Sequence, residues 1–522
     1  MDNIVLWRRV VQLGSLYDEA ARRAPQDPGG NLVHPSRREF IRTMGTGLAT
    51  AGVAAAAAAG VACSSSDSES SVRGSSAAAT GAGRSAGAGG SEALLVPNPD
   101  QVEPAPLGYD RLPLEWHQER TRLLKERAGE LGADAIVLER DPNIVYFTGC
   151  FRGSGERTTR VLFRLDEQDT AYWYSPGIDR DLITSWWATD NEYYFCYPHA
   201  EGGFPNRGEL VQGRRVDLWE WLLEGLGRRG LGDKTIALDR TLSASDMATA
   251  SRVLPRARFV DISPVCLEMQ IIKTPEEIAL TQRAYRYFDK IHAFARDYIL
   301  ERGTDATDFE LGQALQAYGI GLLMNDVQRD GRQNTAVGIE VTSHYVRAGV
   351  ATAYPHPNQF FYNKIERGQS VYVNTDIQLG GMGGECYRNY LIGPTTAQQE
   401  KMFEVVAETI QIQEEESKPG AVCSDIALKI HQHQVDRGMA EFIYHRPAHG
   451  QGNFGMGHQP PFIALGDYSV IEENMTFSME PGLYDAANGI GINPSDNLRI
   501  AATKGVRFSS VPFSKEWSFL TL

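Results

Sequence analysis

Apolar residues recur with a helical period over several long segments of the chain. Between residues 116 and 131, leucines and alanines fall on one side of a predicted helix. A longer helix is predicted over 274–300. It opens with a capping box, in which Thr274 caps the first turn and Glu277 reaches back to it. A further helix is predicted over 400–415.

Short apolar runs between these helices predict strands, over 134–138, 143–147, 371–373 and 475–479. His292 lies on the apolar stripe of the long helix, which favours a packed core histidine over a ligand. The mixture predicts an α+β protein with two domains. A smaller α/β domain is expected over 104–268, followed by a larger domain over 269–522.

The first hundred residues have a composition that cannot form a packed core. Residues 36–42, Ser-Arg-Arg-Glu-Phe-Ile-Arg, closely match a twin-arginine export signal, and a soft apolar run over 45–62 follows them. The run ends in small residues before Cys63, which resembles a lipoprotein cleavage site. We therefore expect a leader over 1–63, a disordered Ser/Gly/Ala-rich tether over 64–103, and export to the periplasm or cell envelope with a lipid anchor at Cys63.

The overall charge argues against one class of partner, nucleic acid. The formal net charge is −15, which argues against nucleic acid because phosphate binding needs a basic surface. The six cysteines are scattered and include no CxxC pair, so neither a structural zinc site nor a disulfide framework is expected.

Five short motifs follow one another in the second half of the chain. They are Ile272-Lys273-Thr274-Pro275-Glu276-Glu277-Ile278, Pro355-His356-Pro357-Asn358, the stretch from Asn374-Thr375-Asp376 to Gly393, Ala448-His449-Gly450, and Met479-Glu480-Pro481-Gly482. This ordered set resembles the pita-bread superfamily, which includes methionine aminopeptidase, aminopeptidase P, prolidase and creatinase. Residues 143–149, Asn-Ile-Val-Tyr-Phe-Thr-Gly, also resemble the smaller N-terminal domain of the last three. The resemblance implies a pita-bread catalytic domain over 269–522, preceded by a creatinase-type domain.

Metallopeptidases of that superfamily hold two divalent metals with Asp, Asp, His, Glu and Glu. Carried over by motif, the histidine corresponds to His449 and the first glutamate to Glu480, while the second aspartate position holds Glu385. The other two positions hold Asn374 and Ser495, which have no carboxylate. The resemblance therefore implies that the usual metal pair is lost and that no metal is needed. One Mn, Fe or Zn ion on Asp376, Glu385, His449 and Glu480 remains the alternative.

The remaining site predictions also follow from the resemblance. His449, Glu480, His458 and Glu385 are predicted as catalytic residues, with His449 as general acid and base because imidazole titrates near neutral pH. His356, Asp376 and Arg388 are predicted to contact substrate. A nucleophilic role for Cys386, beside Glu385, has little support, because no motif places a base next to it.

Three functions stay open on the sequence. The first is a creatinase-like hydrolase that cleaves a C–N bond in a small amino-acid-like or guanidino compound, or in a short peptide, without the metal pair. The second is a metal-dependent Xaa-Pro aminopeptidase or dipeptidase with a rearranged site. The third is a catalytically silent module that binds a peptide or small ligand. The resemblance implies a homodimer in each case.

Overall fold

A computed structural model describes residues 90–151, 156–195, 215–326, 340–342, 346–356, 362–452 and 457–522. All of them belong to one unit, Arg84–Leu522. The predicted export signal, the cysteine at position 63 and most of the predicted tether lie outside the described residues. Among the described residues, no helix combines the length and the apolar character that a membrane crossing requires.

The predicted tether ends earlier than the sequence implies. Residues 90–103 contact the body of the protein: a 3-10 turn over Ser91–Leu94 is held at Asp297, and the Val96 amide donates to the Ser510 carbonyl over 2.8 Å. Leu94, Leu95 and Val102 pack against the main apolar core, and this burial fixes a segment that its flanking composition predicts to be disordered.

The N-terminal part is a six-stranded mixed sheet in the order β4-β3-β2-β1-β5-β6, covered by helices. Its elements are α1 (Leu114–Glu130), β1 (Ala135–Leu138), α2 (Asp141–Thr148), β2 (Arg160–Arg164), β3 (Tyr172–Pro176), α3 (Arg180–Thr184), β4 (Asp190–Tyr194), α4 (Leu218–Arg228), β5 (Thr235–Leu238), α5 (Ala244–Val253), β6 (Arg258–Asp261) and α6 (Ser263–Ile271). The predicted boundary near Met269 falls inside α6. The main apolar core contains residues from both sides of it, so the division at 268/269 stays a prediction.

One predicted strand is wrong. Residues 143–147 lie within helix α2, although their apolar run has the composition of a buried strand. The helix starts with Asp141 and Pro142 in its first turn and ends at Gly149, which adopts the left-handed conformation (φ 70°) of a helix C-terminal cap. These terminal signals outweigh the β propensity of the run between them.

The C-terminal part begins with the long helix. Its elements are α7 (Pro275–Arg302), α8 (Asp308–Asp326), β7 (Glu340–Thr342), β8 (Arg347–Ala348), β9 (Ser370–Leu379), β10 (Met382–Ile392), α9 (Ala397–Glu416), α10 (Cys423–Asp436), β11 (Ala448–Gln451), β12 (His458–Gln459), β13 (Thr476–Met479), β14 (Leu483–Asp485), β15 (Ile490–Ile492), β16 (Asp496–Ile500), β17 (Gly505–Arg507), α11 (Lys515–Ser518) and β18 (Phe519–Leu520). The capping box is confirmed, since Thr274 and Glu277 bond to each other's backbone amides at the start of α7.

The two larger sheets of the C-terminal part meet. One runs β18-β10-β9-β7, with β8 also paired to β9, and the other runs β12-β11-β13-β16-β17. A bridge between Tyr387 and Ser495 joins them, with backbone N–H···O distances of 3.0 and 3.1 Å. The β9–β10 hairpin is antiparallel and pairs Asp376 with Glu385 and Asn374 with Tyr387.

Helix α7 packs against the back of this hairpin. His292 is fully buried and its Nε2 lies 3.0 Å from the Cys386 carbonyl oxygen, so the predicted core role is confirmed. Tyr285 donates to the Glu385 carbonyl over 2.8 Å from the same helix. Burial, with a smaller effect of the Arg388 charge, lowers the pKa of His292 to about 3.

The pKa of His292 is about 3 in the folded protein and near 6.5 in the unfolded chain, so only the unfolded chain binds this proton between these pH values. The buried, neutral His292 therefore does not lower the stability of the fold above pH 6.5, and the fold loses stability as the pH falls from 6.5 toward 3. Between pH 7 and pH 5 this loss should be about 2 kcal/mol. We expect His292→Gln, whose amide can still donate to the Cys386 carbonyl, to remove this part of the pH dependence.

Urea unfolding at pH 7 and pH 5 measures the effect. His117, a second buried histidine whose pKa burial lowers to about 4, titrates equally in both proteins and cancels in the comparison. Equal losses of unfolding free energy in the wild type and in His292→Gln would contradict the assignment.

Candidate active site

Three side chains converge at the front of the two sheets. Glu385 projects from β10, His449 from β11, and Glu480 follows the last residue of β13. One ligand atom from each lies within 4.8 Å of the other two. Motif analysis assigned all three residues, and the fold brings them together.

The histidine of this cluster points at both carboxylates. His449 Nε2 lies 3.3 Å from Glu385 Oε1 and 3.3 Å from Glu480 Oε2, yet neither contact has the geometry of a hydrogen bond. The His449 side chain is 1% exposed, and those of Glu385 and Glu480 are 14% and 19% exposed. A buried nitrogen shared between two carboxylate oxygens is the arrangement that a cation between the three would satisfy.

The charges of the cluster limit what His449 does without a metal. Burial alone would lower its pKa, but the Glu385 and Glu480 carboxylates raise it to about 10. Burial would raise the pKa of Glu480, but His449, with smaller contributions from His445 and His458, holds it below its usual value. A histidine with a pKa near 10 carries a proton at neutral pH and cannot accept another, so the predicted role as a metal-free general base fits poorly.

The residues present do fit one divalent ion. Imidazole and two carboxylates are a donor set that Zn, Mn and Fe accept, and three protein ligands leave positions open for substrate. A divalent ion would also replace the proton that the two carboxylates otherwise hold on His449. The expectation that no metal is needed is therefore corrected, and the alternative with a divalent metal fits this cluster better.

His458 lies against the cluster. Its ring is tilted by 33° against the His449 ring with centroids 3.8 Å apart, and Arg446 Nη2 donates to its Nδ1 over 3.2 Å. Burial and the neighbouring His449 lower its pKa, so it is neutral at pH 7. Because Nδ1 accepts from an arginine, the hydrogen resides on Nε2, which can donate it. The close approach of β12 needs Gly450, where a Cβ would meet the Gln459 carbonyl oxygen at 2.5 Å.

The fourth predicted ligand, Asp376, lies beside the cluster rather than in it. It is directly opposite Glu385 in the β9–β10 ladder, so both side chains leave the same face of the hairpin. Its carboxylate does not join the three groups that converge on a common point. His356 is exposed and follows Pro355; among the described residues, no contact links it to the cluster. Its predicted role, like that of Asp376, stays a prediction.

Two other residues of β10, Cys386 and Arg388, lie on the face opposite to Glu385. Arg388 was expected to contact substrate, but it is 1% exposed and bonds to Asp496 Oδ2 over 2.8 Å and to the Ser495 and Val511 carbonyls. Cys386 is fully buried and burial raises its pKa well above 9, so it cannot act as a thiolate nucleophile. Successive side chains of a strand alternate between faces, and Cys386 and Arg388 lie one and three residues after Glu385. Both side chains therefore point away from the face that carries Glu385.

Two residues of the site were missed by the motif analysis. Tyr387 donates its hydroxyl to Glu385 Oε2, and Ser478 donates its hydroxyl to Glu385 Oε1. Each lies two positions along a strand from a motif glutamate and therefore on the same face. That spacing was available in the sequence, but the contacts depend on which strands become neighbours.

Comparisons with known proteins find similarity to peptidases. Residues 279–509 match the model of metallopeptidase family M24. The Xaa-Pro dipeptidase of Lactobacillus helveticus is 24% identical over 357 residues, covering 67% of this chain and 86% of the relative. That of Pyrococcus furiosus is 24% identical over 392 residues, covering 75% and 98%.

Solved structures resemble the chain at still lower identity. The prolidase from Pyrococcus horikoshii OT3 superimposes with a TM-score of 0.57 at 18% identity, covering 75% of this chain and 98% of that one. Dipeptidase PepE from Mycobacterium ulcerans gives 0.61 at 15% identity, covering 79% and 100%. The chain therefore has the pita-bread fold of prolidases and aminopeptidase P, is similar to metallopeptidase family M24 over residues 279–509, and is a hydrolase of the peptidase-like kind.

Proposed function

We propose that this protein is a metal-dependent hydrolase of short peptides, of the dipeptidase type, with one divalent ion held by Glu385, His449 and Glu480. The observation that carries the proposal is the buried His449 nitrogen placed 3.3 Å from one oxygen of each glutamate. The names of the relatives, Xaa-Pro dipeptidases among them, support a peptide bond as the target.

The chain's own groups support such a hydrolysis. A bound divalent ion supplies Lewis acidity, which polarises a carbonyl and makes water a stronger acid. His458 Nε2–H is free to donate toward an oxyanion, because its other ring nitrogen accepts from Arg446. Asp376, opposite Glu385, adds a negative charge on the same face, which favours a protonated amine of the substrate nearby.

A cationic side chain lies further along the same face. Arg347 in β8 pairs with Tyr372 in β9, and its guanidinium stacks 4.3 Å above the Tyr372 ring. Arg347 is 6% exposed and its Nε has no partner among the described residues. About 13 Å of strand separates this row from the Asp376–Glu385 row, at roughly 3.3 Å per residue. That distance suits a short peptide, which spans about 3.5 Å per extended residue.

The charges of Glu480 and Arg347 both affect the hydroxyl pKa of two tyrosines. Burial raises the pKa of the Tyr372 and Tyr484 hydroxyls well above 10, the Glu480 charge raises it further, and the Arg347 charge opposes it. The Glu480 end of this face is thus anionic and the Arg347 end cationic. This polarity supports a zwitterionic substrate, with its amine near the carboxylates and its carboxylate toward Arg347.

The metal requirement is tested by Glu480→Gln, with the exposed Glu473→Gln as matched control. We expect the wild type and the control to bind Mn or Zn, to hydrolyse dipeptides including Xaa-Pro, and to lose activity on chelation. Glu480→Gln should lose metal and at least about 100-fold in activity, because one of three ligands is removed. Elemental analysis and dipeptide assays measure both. Activity that survives chelation and Glu480→Gln but disappears in His449→Ala would favour the metal-free hydrolase instead.

The preference for a substrate with a free carboxylate is tested with a dipeptide and its C-terminal amide. We expect the wild type to prefer the free carboxylate, and Arg347→Met to raise KM for the acid by about 10- to 100-fold, the worth of a charge-assisted hydrogen bond. The amide should change little. Because Arg347 also bonds the Tyr354 and Pro355 carbonyls, general damage would raise KM for both substrates equally, and that result would contradict the role.

We also propose that the enzyme works outside the cytoplasm. The support is the twin-arginine match at residues 36–42, which lies outside the described residues. Replacing Arg37 and Arg38 together by lysine is expected to leave the full chain in the cytoplasm, as followed by cell fractionation. An unchanged distribution would remove the proposal.

A further inference from the structure

Hydroxyl groups surround Glu385 on the side where the resemblance implies further metal ligands. Tyr387 donates to Glu385 Oε2, Ser478 donates to Glu385 Oε1, and Ser478 Oγ lies 3.0 Å from Ser495 Oγ. We call Tyr387, Ser478 and Ser495 the hydroxyl cluster. Both carboxylate oxygens of Glu385 therefore accept a hydrogen bond from a neutral hydroxyl group.

The residues at the two positions where the resemblance implies further carboxylates carry no charge either. Asn374 is the cross-strand partner of Tyr387, and its buried Oδ1 has no hydrogen-bond partner among the described residues. Asn374 and Ser495 stand at the two positions where the resemblance implies an aspartate and a glutamate. This side of Glu385 thus offers neutral oxygens where a second cation would need carboxylates.

The charge of the site suits a single ion. Glu385 and Glu480 carry two negative charges, Asp376 adds a third beside them from the opposite strand, and His449 adds none once it has given up its proton. One divalent ion neutralises the two glutamates and leaves Asp376 for a cationic group of the substrate, whereas two ions would leave an uncompensated positive charge in a largely buried place.

We propose that the hydroxyl cluster takes the place of a second cation and that Tyr387 is a positioning residue, which holds Glu385 in the orientation that binds one ion. Hydroxyl donors stabilise a carboxylate through charge-assisted hydrogen bonds, so they supply part of what a cation would. Tyr387 itself is 7% exposed, and its ring lies 5.5 Å from the Tyr372 ring, which restricts its movement. The inference rests on the proposed function, since it assumes that an ion binds at Glu385, His449 and Glu480.

The test titrates metal-free protein with Mn²⁺, by calorimetry for stoichiometry and Kd and by electron paramagnetic resonance for coupling between ions. The wild type should bind one ion per chain with an uncoupled spectrum. Tyr387→Phe should keep that stoichiometry but weaken the Kd by about 10- to 100-fold, the usual effect of removing a hydrogen-bond partner of a metal ligand. Ser478→Ala, which frees the other oxygen, should weaken it similarly.

The matched control is Tyr390→Phe. Tyr390 is fully buried in the same strand, but it donates to the His292 carbonyl over 3.1 Å on the opposite face. Its Kd for Mn²⁺ should stay within about 2-fold of the wild type, since its hydroxyl does not touch a ligand. Thermal unfolding of the metal-free proteins separates lost stability from lost positioning.

The outcomes separate this inference from the proposed function. Two coupled ions in the wild type, or a Tyr387→Phe Kd no weaker than that of Tyr390→Phe, would overturn the role of the hydroxyl cluster. Absence of Mn²⁺ binding by the wild type would instead remove the proposed function and this inference with it.

Discussion

The alternation of side chains along the β9–β10 hairpin is the constraint on which the site depends. Glu385 and Tyr387 lie on the face that carries the candidate site, while Cys386 and Arg388 face helix α7 and the core. The buried pair between Arg388 and Asp496 and the bridge from Tyr387 to Ser495 tie this hairpin to the second sheet. A register shift of one residue would bury Glu385 and expose Arg388, so packing and chemistry are fixed by the same pairing.

The electrostatics of the cluster follow from that pairing. Two carboxylates converge on one imidazole in a place with little water, which makes a positive charge at His449 favourable. A proton on His449 meets that demand in the metal-free protein, and in the proposed function a divalent ion would replace it and balance both carboxylates. The same environment that makes His449 a poor base makes it a good metal ligand once its proton has left.

Local signals in the sequence predicted much of this structure. The capping box at Thr274 and Glu277 fixed the start of α7, and the motifs identified Glu385, His449 and Glu480. The strand predicted over 143–147 failed because short apolar runs have no decisive period, and the helix is set by its two ends. The contacts of Tyr387 and Ser478 with Glu385 could not be predicted, since they join separate strands whose pairing is long-range.

Compared with the pattern that the resemblance implies, the spacing of Asn374 and Asp376 places a carboxylate two residues further along β9. Two residues along a strand return to the same face, so a carboxylate at 376 instead of 374 moves from the Tyr387 row to the Glu385 row, about 7 Å away. Like charges directly opposite each other in a ladder are destabilising unless a cation lies near them. The row of Asn374 holds Tyr387 and no carboxylate, so the negative charge of this face is concentrated in the Glu385 row, beside the proposed ion, where the protonated amine of a short peptide would offset it.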